Sequence, residues 1–409
     1  MQSQGFVPGE VDASSDIAHR AHVILTSALY FPNVGGVENS LRHLALELRG
    51  LGYRPWILTS SGGMEPRQKR LLACSRVSGI PILRYRFSSI FPVRVFRAWR
   101  AARTLAERTD AKSAIARDHA GALAVAAAGL HGVYLVPGIV ATQHRPAGFN
   151  VLRWLNHFAS VSGQKLAFRI IDRVAVFSSF MRKSVSAAGG LENIETVRPG
   201  VDSGRFHPVR REVAFATRRE LGIPEEARVA VSVGRMAALK RYDLLIDAIA
   251  TLGSHWHLLL VGDGPHEGRL RRLAMERGAS PRIHFVGRTL VPQRYLACAD
   301  VFVLSSDHET FGQVLIEAMA CGLPVAAFDP SIPEVNTATR EIVPEEWLFM
   351  ASRLDSSHLA GAIEDAVSIP LQRHEIAEWT TAHFSWRKLA TDLLQLTGES
   401  GSRNVGGSP

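Results

Sequence analysis

The chain has 409 residues, of which 46% are apolar and 21% charged; this is the composition of a globular protein and enough length for two domains. Its net charge of +9 is uneven, because residues 1–200 carry +13 and residues 201–409 carry −4. Three widely separated cysteines exclude a disulfide framework and a cysteine-based zinc site, and no apolar run is long enough for a membrane span.

The two ends of the sequence and the few cysteines also bear on location. Residues 1–20 are polar and mixed, without the apolar core of a signal peptide, and residues 397–409 have the composition of a disordered tail. Few cysteines suggest a reducing compartment. The sequence therefore predicts a cytoplasmic protein with flexible ends.

Short apolar runs alternate with helical patterns along the first half of the chain. Residues 21–30 predict a buried strand, followed by a Gly-Gly turn, an amphipathic helix that Gly52 can cap, and a second strand, RPWILTS. Strand-helix units recur through GVYLVPGIVATQH and IDRVAVFSS. This alternation is typical of a parallel sheet covered by helices on both faces.

A second series of the same kind begins after the segment RPGVDSGRFHP, residues 198–208. Its strands are predicted at RVAVSVGR, HWHLLLVGDG, RIHFVGR, DVFVLSS and LPVAAFD, and the chain then continues as helix with a break near Phe384 to Trp386. Two series predict two α/β, Rossmann-like domains, 21–200 and 201–385. Ligand is expected in the cleft between them, where the strands end.

Residues 305–328, SSDHETFGQVLIEAMACGLPVAAF, place Glu309 and Glu317 eight positions apart. DHETFG is expected to be a loop, and a helix is expected from near Thr310–Gly312 to Cys321. Free N–H groups at that helix start suit a phosphate. A carboxylate on each side of it suits a nucleotide-sugar, with Glu309 on the sugar and Glu317 on the ribose. The alternative is that Glu309 merely neighbours the helix cap and Glu317 pairs with an arginine.

Two further loops carry groups that suit a diphosphate. The strand VSVG ends at Gly234 and is followed by Arg235 and Lys240, two cations that can neutralise a diphosphate without a metal. In the first domain the loop after the first strand contains Gly35 and Gly36, whose N–H groups can approach a phosphate closely. The alternatives are solvated surface cations and an ordinary tight turn.

Taken in order, VGR…LKRYDLLIDA, LLVGDGP, IHFVGR, YLACADVFVLSS…E and FGQVLIEAMACGLPVAAF resemble the donor half of glycosyltransferase family 4. The E-x7-E motif of that family falls on Glu309 and Glu317. FPNVGGVEN, VRPGVDSGRFHP and HFSWRKLATDLL resemble its first loop, its interdomain link and its returning helix. The resemblance spans roughly residues 21–396. It implies the GT-B architecture, two Rossmann-like domains whose parallel sheets face a central cleft, with helix 386–396 packing back on the first domain.

The resemblance also implies the roles of individual residues. Arg235 and Lys240 hold the diphosphate with Gly36 above it, Glu309 contacts the donor sugar, and Glu317 contacts the ribose. The implied donor-binding residues are Gly36, Arg235, Lys240, Val286, Gly287, Arg288, Glu309, Phe311, Gly312, Gln313, Val314 and Glu317. The implied catalytic residues are Glu309, His144, Arg235 and Lys240. On the acceptor side His144, in VPGIVATQHRP, is the first candidate and His119, in ARDHAG, the second.

The chemistry implied by the resemblance is transfer with retention of the anomeric configuration. The acceptor attacks on the face that the diphosphate leaves, and the leaving phosphate oxygen takes its proton. No D-x-D metal motif occurs in the sequence, and the cations make a metal unnecessary, so no metal and no other cofactor is expected. A UDP-sugar is the family's commonest donor. The hydroxyl acceptor is a lipid-linked or cell-envelope glycan or a small-molecule glycoside.

One segment departs from the family pattern. Residues 329–353, DPSIPEVNTATREIVPEEWLFMASR, lack the Gly-rich stretch that is common in the family at this place. This departure leaves the specificity for the nucleotide base and for the sugar open.

Two other functions are considered. VGDGPHEG, residues 261–268, approximates the dinucleotide fingerprint of an NAD(P)-dependent oxidoreductase, but Arg288 stands where an acidic residue is wanted. Residues Arg84–Arg108 hold seven arginines and one acid among aromatic residues. They suggest contact with an anionic membrane surface, at the inner face of the membrane, or a non-catalytic basic binding protein. Nucleic acid is not expected as a partner, because no nucleic-acid motif accompanies the charge.

Overall fold

The computed structural model describes residues 21–32, 35–62, 74–143, 150–370 and 372–398, and these residues form two α/β units. The predicted flexible end at 1–20 and residues 399–409 of the predicted tail lie outside the described residues.

The first unit is built on one large sheet. Its strands are β1 (His22–Ser27), β2 (Arg54–Ser60), β3 (Cys74–Val77), β4 (Ile80–Tyr85), β5 (Ser113–Ala116), β6 (His131–Leu135), β7 (Arg173–Val176) and β8 (Glu195–Thr196). They lie in the order β3-β4-β2-β1-β5-β6-β7-β8, and only β3 runs antiparallel to its neighbour in this sheet. The central strands are apolar and buried because helices cover both faces, as the sequence predicts.

The helices of the first unit lie on both faces of that sheet. They are α1 (Gly36–Gly50), α2 (Phe91–Thr109), α3 (His119–Ala127), α4 (Val140–Gln143), α5 (Val151–Ile170) and α6 (Ser179–Gly189). One face packs on α2, α3, α5 and α6, and the other packs on α1.

The second unit contains a sheet of six parallel strands. They are β9 (Arg228–Val233), β10 (Trp256–Val261), β11 (Ile283–Gly287), β12 (Val301–Leu304), β14 (Val325–Phe328) and β16 (Leu348–Ala351). Their order is β11-β10-β9-β12-β14-β16, so the switch point lies between β9 and β12. Two short strands, β13 (His308–Glu309) and β15 (Asn336–Thr337), pair in parallel beside it. Parallel strands meet ligands at a switch point, at their C-terminal ends.

The helices of the second unit again cover both faces. They are α7 (Arg211–Glu220), α8 (Tyr242–Thr251), α9 (Glu267–Glu276), α10 (Pro292–Ala297), α11 (Gln313–Ala320), α12 (Thr339–Ile342), α13 (Ser356–Ser368) and α14 (Arg373–His383), followed by α15 (Trp386–Leu396). One-turn 3₁₀ segments lie at Ala238–Lys240, Ser280–Arg282 and Glu345–Trp347. The predicted break in the final helical segment is the gap between α14 and α15.

The last helix, α15, belongs to the core of the first unit although it follows the second in sequence. Its Leu389 and Leu393 are buried together with Leu41 and Leu44 of α1. The chain therefore crosses between the units twice, and the backbone N–H of Val201 donates to the carbonyl of Phe384 (3.1 Å) where the two crossings meet.

Candidate functional site

The predicted cation Lys240 lies at the end of β9, where the chain makes a one-turn 3₁₀ helix. Gly234 follows β9 with a φ of +157°, and a Cβ added there would lie 3.2 Å from Lys240 Cε and 3.2 Å from the Tyr242 hydroxyl. A side chain at this position would crowd the lysine and the tyrosine, and the positive φ also favours glycine there.

Lys240 and Glu309 form an ion pair. Lys240 Nζ lies 2.5 Å from Glu309 Oε2, and each side chain is 20% exposed. Burial alone would lower the pKa of Lys240, but the Glu309 carboxylate raises it above the usual value, so the ammonium remains charged. The structure therefore brings together two predicted catalytic residues that are 69 positions apart.

The segment that carries Glu309 is fixed on both sides. Ser305 Oγ donates to the Lys240 carbonyl (2.7 Å), and the Asp307 N–H donates to the Leu239 carbonyl (3.1 Å). The prediction of a loop at DHETFG is wrong in one respect, because His308–Glu309 pairs as a short strand with Asn336–Thr337. This short strand forms because its backbone pairs with a distant segment, and the local sequence carries no sign of that pairing.

That partner strand belongs to the segment that departs from the family pattern. The N–H of Asn336 donates to the Asp307 carbonyl (2.7 Å), and the N–H of Ala338 donates to the Glu309 carbonyl (3.3 Å). In the same segment, Glu341 accepts hydrogen bonds from the N–H groups of Ser179 (2.6 Å) and Phe180 (3.1 Å) at the start of α6. The departing segment thus supports the Glu309 strand and contacts the first unit.

Helix α11 begins at Gln313, close to the predicted start, with Gly312 as its N-cap at a φ of +81°. The Phe311 side chain is buried against Phe177 and Phe384, so only its backbone is available to a ligand. Gln313 Nε2 donates to the Gly200 carbonyl (2.8 Å) and ties the helix to the interdomain link. The N–H groups of this first turn form a site that favours an anion.

Glu317 lies one turn into α11 and faces a cavity of about 460 Å³ between the two units. Burial raises the pKa of Glu317 to about 7, and the charge of Arg205 offsets this only in part. No ion pair of Glu317 occurs among the described residues, which argues against the alternative of a structural arginine partner.

The same cavity is also lined by Gly36 and Gln313, two of the predicted donor-binding residues, and by residues that the sequence did not single out. A Cβ on Gly36 would meet nothing within 4 Å, so the cavity has room above this glycine. The added residues include His43, Asp202 and Trp386; the His43 ring stacks on Trp386 with centroids 5.1 Å apart, and burial lowers the pKa of His43. Only the quoted likeness of the returning helix pointed toward Trp386.

The remaining predicted donor residues lie at neighbouring strand ends. Arg235 is exposed in the loop after β9. Val286 and Gly287 end β11, and the Gly287 carbonyl accepts from the N–H of Gly262 (2.9 Å), while Arg288 is exposed just beyond. Val314 is a partly buried residue of α11 that packs against the apolar core.

A second cavity, of about 700 Å³, lies within the first unit at the ends of β1, β5 and β6. His119, the second acceptor-side candidate, lines it and stacks on Phe91 with ring centroids 4.9 Å apart. Arg94, Arg117 and Arg153 also line it, and burial lowers the pKa of Arg117 to about 10. His144, the first candidate, lies outside the described residues.

The basic segment Arg84–Arg108, for which contact with an anionic surface is predicted, is only partly exposed. Arg84 is 8% exposed and donates to Ser75 Oγ and to the Phe31 carbonyl. Arg97 donates to backbone carbonyls of residues 86 and 87, and Trp99 Nε1 donates to the Ala127 carbonyl. Arg86 and Arg100 are exposed and remain available to an anionic partner.

The glycines of the dinucleotide-like sequence have a structural role. A Cβ on Gly262 would lie 2.1 Å from the Gly234 carbonyl oxygen, and one on Gly264 would lie 2.4 Å from that of Met236. These glycines allow the loops after β9 and β10 to pack together. The glycine pattern of residues 261–268 is therefore explained by loop packing, and it no longer supports the oxidoreductase interpretation.

Together the loops present a cation, two carboxylates and a helix N-terminus around the interdomain cleft. Such groups can bind a diphosphate and the hydroxyl groups on either side of it. Within the described ranges, no cluster of three or more His, Cys, Asp or Glu side chains is placed to hold a metal ion. In the same part of the chain, no helix combines the length and the apolar character needed to cross a bilayer.

Two family models match the chain, one on each unit. The model described as Glycosyltransferase Family 4 matches residues 34–205, and the model described as Glycosyl transferases group 1 matches residues 214–382. The order of the two matches agrees with the order of the two sheets.

Similar proteins include the lipopolysaccharide core biosynthesis glycosyltransferase LpsE of Rhizobium meliloti (strain 1021), which is 31% identical over 56% of this chain and 65% of its own length. The GDP-mannose-dependent monoacylated alpha-(1-6)-phosphatidylinositol monomannoside mannosyltransferase of Corynebacterium glutamicum is 30% identical over 55% of this chain and 62% of its own length. The chain spans about half to two thirds of the length of the curated relatives it matches.

The fold is that of solved glycosyltransferase structures. Anabaena Alr3699/HepE, solved in complex with UDP and glucose, aligns with a TM-score of 0.72 and 20% identity over 93% of this chain and 100% of that chain. This likeness shows two Rossmann-like domains arranged as in the GT-B fold, as the sequence predicted.

Proposed function

Because the chain belongs to the family 4-like glycosyltransferases of the GT-B fold, we propose that it transfers a sugar from a nucleoside-diphosphate sugar to a hydroxyl acceptor. The observation that carries this proposal is the Lys240–Glu309 pair, which lies beside the N-terminus of α11. In this proposal Lys240 and Arg235 bind the diphosphate, and Glu309 accepts hydrogen bonds from the sugar hydroxyls. The two cations and the helix N-terminus stabilise the negative charge that develops on the leaving diphosphate.

The donor lies across the cleft in this proposal. Its ribose hydroxyls donate to Glu317, its diphosphate lies between Gly36 and Lys240, and its base borders residues 286–288. UDP is the favoured nucleotide, supported by a structural neighbour solved with UDP and glucose. A GDP-sugar is the competing donor, since the name of a relative states dependence on GDP-mannose.

Transfer proceeds with retention. The bond between the anomeric carbon and the leaving phosphate oxygen breaks, the acceptor oxygen bonds to the same carbon on the same face, and its proton passes to that phosphate oxygen. No residue forms a covalent intermediate and no metal is required, because Lys240 and Arg235 supply the positive charge. Chelation with EDTA is therefore expected to change the transfer rate by less than about twofold.

The acceptor occupies the cavity of the first unit, which His119 lines, and His144 is the other proposed acceptor-side residue. Three arginines line that cavity together with the carboxylates of Glu38 and Asp118. Arg117 Nη1 donates to the Leu135 carbonyl (3.0 Å), while its Nε is buried without a hydrogen-bond partner among the described residues. A guanidinium in such a place binds phosphate or carboxylate. The proposed acceptor is therefore a hydroxyl compound with an anionic group, such as a lipid-linked or envelope glycan precursor.

The proposed place of action is the cytoplasmic face of a membrane. All three cysteines are free thiols, as in proteins of reducing compartments. The exposed cations of α2 and of the segment before it would contact anionic headgroups there.

A thermal-shift comparison of UDP, GDP, ADP, dTDP, NAD and NADP, without metal, tests the donor class. A ligand at 100 times its dissociation constant adds about 2.7 kcal/mol, which corresponds to a shift of several degrees. A shift with one nucleoside diphosphate that is lost in Lys240→Ala supports the proposal. A shift with NADP alone contradicts it.

The stereochemical outcome is tested on the product. With an α-linked donor, the anomeric proton coupling in the NMR spectrum of the product is expected to be that of an α-glycoside. A β-linked product would show inversion and overturn the proposed mechanism, while leaving the transferase activity in place.

A further inference from the structure

Helix α5 turns its apolar side chains toward solvent. At the start of this helix Val151 is 59% exposed, Leu152 78%, Leu155 62% and Phe158 73%. We call these four residues the α5 apolar face. A surface helix of a soluble protein normally buries its apolar stripe against the core.

Several polar residues of the same helix line the cavity of the first unit. Asn156, His157, Ser160 and Gln164 are buried or half-buried there, and Arg153, although exposed, also lines it. With about 100° between successive residues of an α-helix, these five lie on the side opposite to the α5 apolar face. The amphipathic pattern of the first three turns is therefore inverted with respect to the protein core.

The rotation of α5 is fixed by hydrogen bonds of those inward residues. Asn156 Oδ1 accepts from the Phe91 N–H (2.7 Å). Gln164 accepts from the Val140 N–H (2.8 Å) and donates to the Tyr134 hydroxyl (3.1 Å) and the Gly138 carbonyl (2.9 Å). The helix cannot turn to bury its leucines without breaking these bonds, several of which are buried. The exposure of the apolar face is therefore built into the fold.

The charged residues of helix α5 itself are all basic. Helix α5 contains no acidic residue, and its exposed Lys165 and Arg169 lie on the same side as the apolar face, about two and three turns beyond Phe158. Ile90, 58% exposed, precedes the Phe91–Asn156 contact and adds apolar surface beside α5. An apolar strip bordered by cations is complementary to an anionic bilayer.

We propose that the α5 apolar face inserts into the headgroup and acyl boundary of an anionic membrane, with the helix axis parallel to the surface. Interfacial helices of this kind bury their apolar side about 5–10 Å deep. A second copy of the chain is a poorer occupant, because it would bring a helix that carries cations and no acidic residue against another of the same kind.

This placement has a consequence for the acceptor, and here the inference rests on the proposed function. The cavity of the first unit lies on the other side of α5, about one helix diameter, 10–12 Å, from the bilayer. An acceptor sugar carried on a lipid headgroup can then reach the cavity while its acyl chains remain in the membrane.

Vesicle flotation tests the proposal, with the full chain and vesicles of phosphatidylcholine alone or mixed with phosphatidylglycerol. The test variant is Leu152→Ser/Leu155→Ser/Phe158→Ser. The matched control is Val213→Ser/Met275→Ser/Ile369→Ser, which removes three comparably exposed apolar side chains from the second unit. The wild type and control are expected to float with the anionic vesicles, and the partition coefficient of the test variant is expected to fall at least about tenfold.

Depth is tested by quenching with brominated phosphatidylcholine in the anionic vesicles. Trp154 lies within the first turn of α5 and is 44% exposed. The wild type is expected to be quenched more strongly than Trp154→Phe. In the background of the triple variant, Trp154→Phe is expected to make no difference to the quenching. Binding without this difference would show surface attraction alone and overturn insertion.

Three outcomes overturn the proposal. They are no binding of the wild type to anionic vesicles, equal binding of the triple variant, and a wild-type dimer that the triple variant converts to monomer in sedimentation velocity without vesicle binding. The nucleotide-induced thermal shift is expected to be unchanged in the triple variant. If the wild type itself shows no nucleotide-induced thermal shift, that result counts against the proposed function and does not bear on membrane insertion.

Discussion

At the scale of residues, the Lys240–Glu309 pair shows what sequence can and cannot predict. Each residue was predicted from its place after a strand, yet their 2.5 Å contact depends on two loops tied together by Ser305 and Asp307. His43 and Asp202 were missed, because nothing in their local sequence distinguishes them from surface residues. Only the folded cleft places them beside Glu317.

Replacing Lys240 by alanine is expected to lower kcat/KM by about 100-fold or more, because the leaving diphosphate loses a charge partner. Glu309→Gln is expected to have a loss of similar size. The matched control is Lys388→Ala, which breaks an exposed pair with Asp392 (2.9 Å) and should change activity by less than about twofold. Near-normal turnover in both site variants, with circular dichroism showing an intact fold, would refute the site assignment.

The pKa of Glu317, raised to about 7, predicts a pH-dependent nucleotide affinity. If the carboxylate accepts hydrogen bonds from the ribose, affinity should rise with pH up to about 7 and weaken roughly tenfold per pH unit below it. Titration calorimetry between pH 5 and 8, reported in about half-unit steps, measures this. Glu317→Gln should remove the dependence, and a wild-type affinity that is flat with pH would contradict the role.

The same group affects stability with a defined sign. Because the folded-state pKa of Glu317 lies above the ordinary value of 4.5, the folded protein binds more protons between pH 4.5 and about 7. Its contribution to the free energy of unfolding is therefore largest at low pH and is lost as pH rises through about 7. Glu317→Gln is expected to be the more stable form at pH 8, as denaturant unfolding would measure.

At the scale of elements, the strands of both sheets were predictable because parallel strands buried on both faces are short, continuous apolar runs. Helix α11 began within three residues of the predicted start, since Gly312 and the apolar spacing mark it. Strands β13 and β15 were not predictable. Each has two residues, and they form only because residues 28 positions apart in the sequence lie side by side in the fold.

The glycines after β9 and β10 give a prediction for stability. Gly262→Ala is expected to destabilise the protein by several kcal/mol, because its φ is +133° and the new Cβ would lie 2.1 Å from the Gly234 carbonyl oxygen. Gly361→Ala is the control, because that glycine lies within α13 and an added Cβ would meet open space. Alanine there should raise the free energy of unfolding by about 0.5–1 kcal/mol. Denaturant unfolding of both variants checks the contrast.

Helix α6 receives its N-terminal carboxylate from the other domain. Glu341→Gln should lower the free energy of unfolding by about 1 kcal/mol, because the charge that accepts from Ser179 and Phe180 is lost at a helix N-terminus. Glu364→Gln, at an exposed position of α13, serves as the control and should be nearly neutral. Equal stability of the two variants would show that the contact contributes nothing.

At the scale of the whole molecule, the two-domain organisation followed from two series of strand and helix patterns separated by one link. The double crossing between the domains did not follow from periodicity, and only the likeness of HFSWRKLATDLL to a returning helix implied it. The amphipathic pattern of α15 shows that one face is buried, but the identity of its neighbour depends on the path of the whole chain.

Truncation of α15 side chains should therefore lower the stability of the first domain. Leu389→Ala and Leu393→Ala are each expected to cost about 2–5 kcal/mol, since both side chains are buried against α1. Hydrogen exchange should become faster in β1 and β2. The control Leu359→Ala removes an equally buried side chain of the second domain and should affect β16 and α8 instead.

The position of α15 in the chain also sets the order of events during synthesis. When the first domain leaves the ribosome, Leu41 and Leu44 of α1 have no helix to cover them, because Trp386–Leu396 is translated about 190 residues after β8. At roughly 5–20 residues per second this interval is about 10–40 s. During that time the nascent chain exposes an apolar surface of its first domain, and chaperone capture there is the expected protection until the final helix docks.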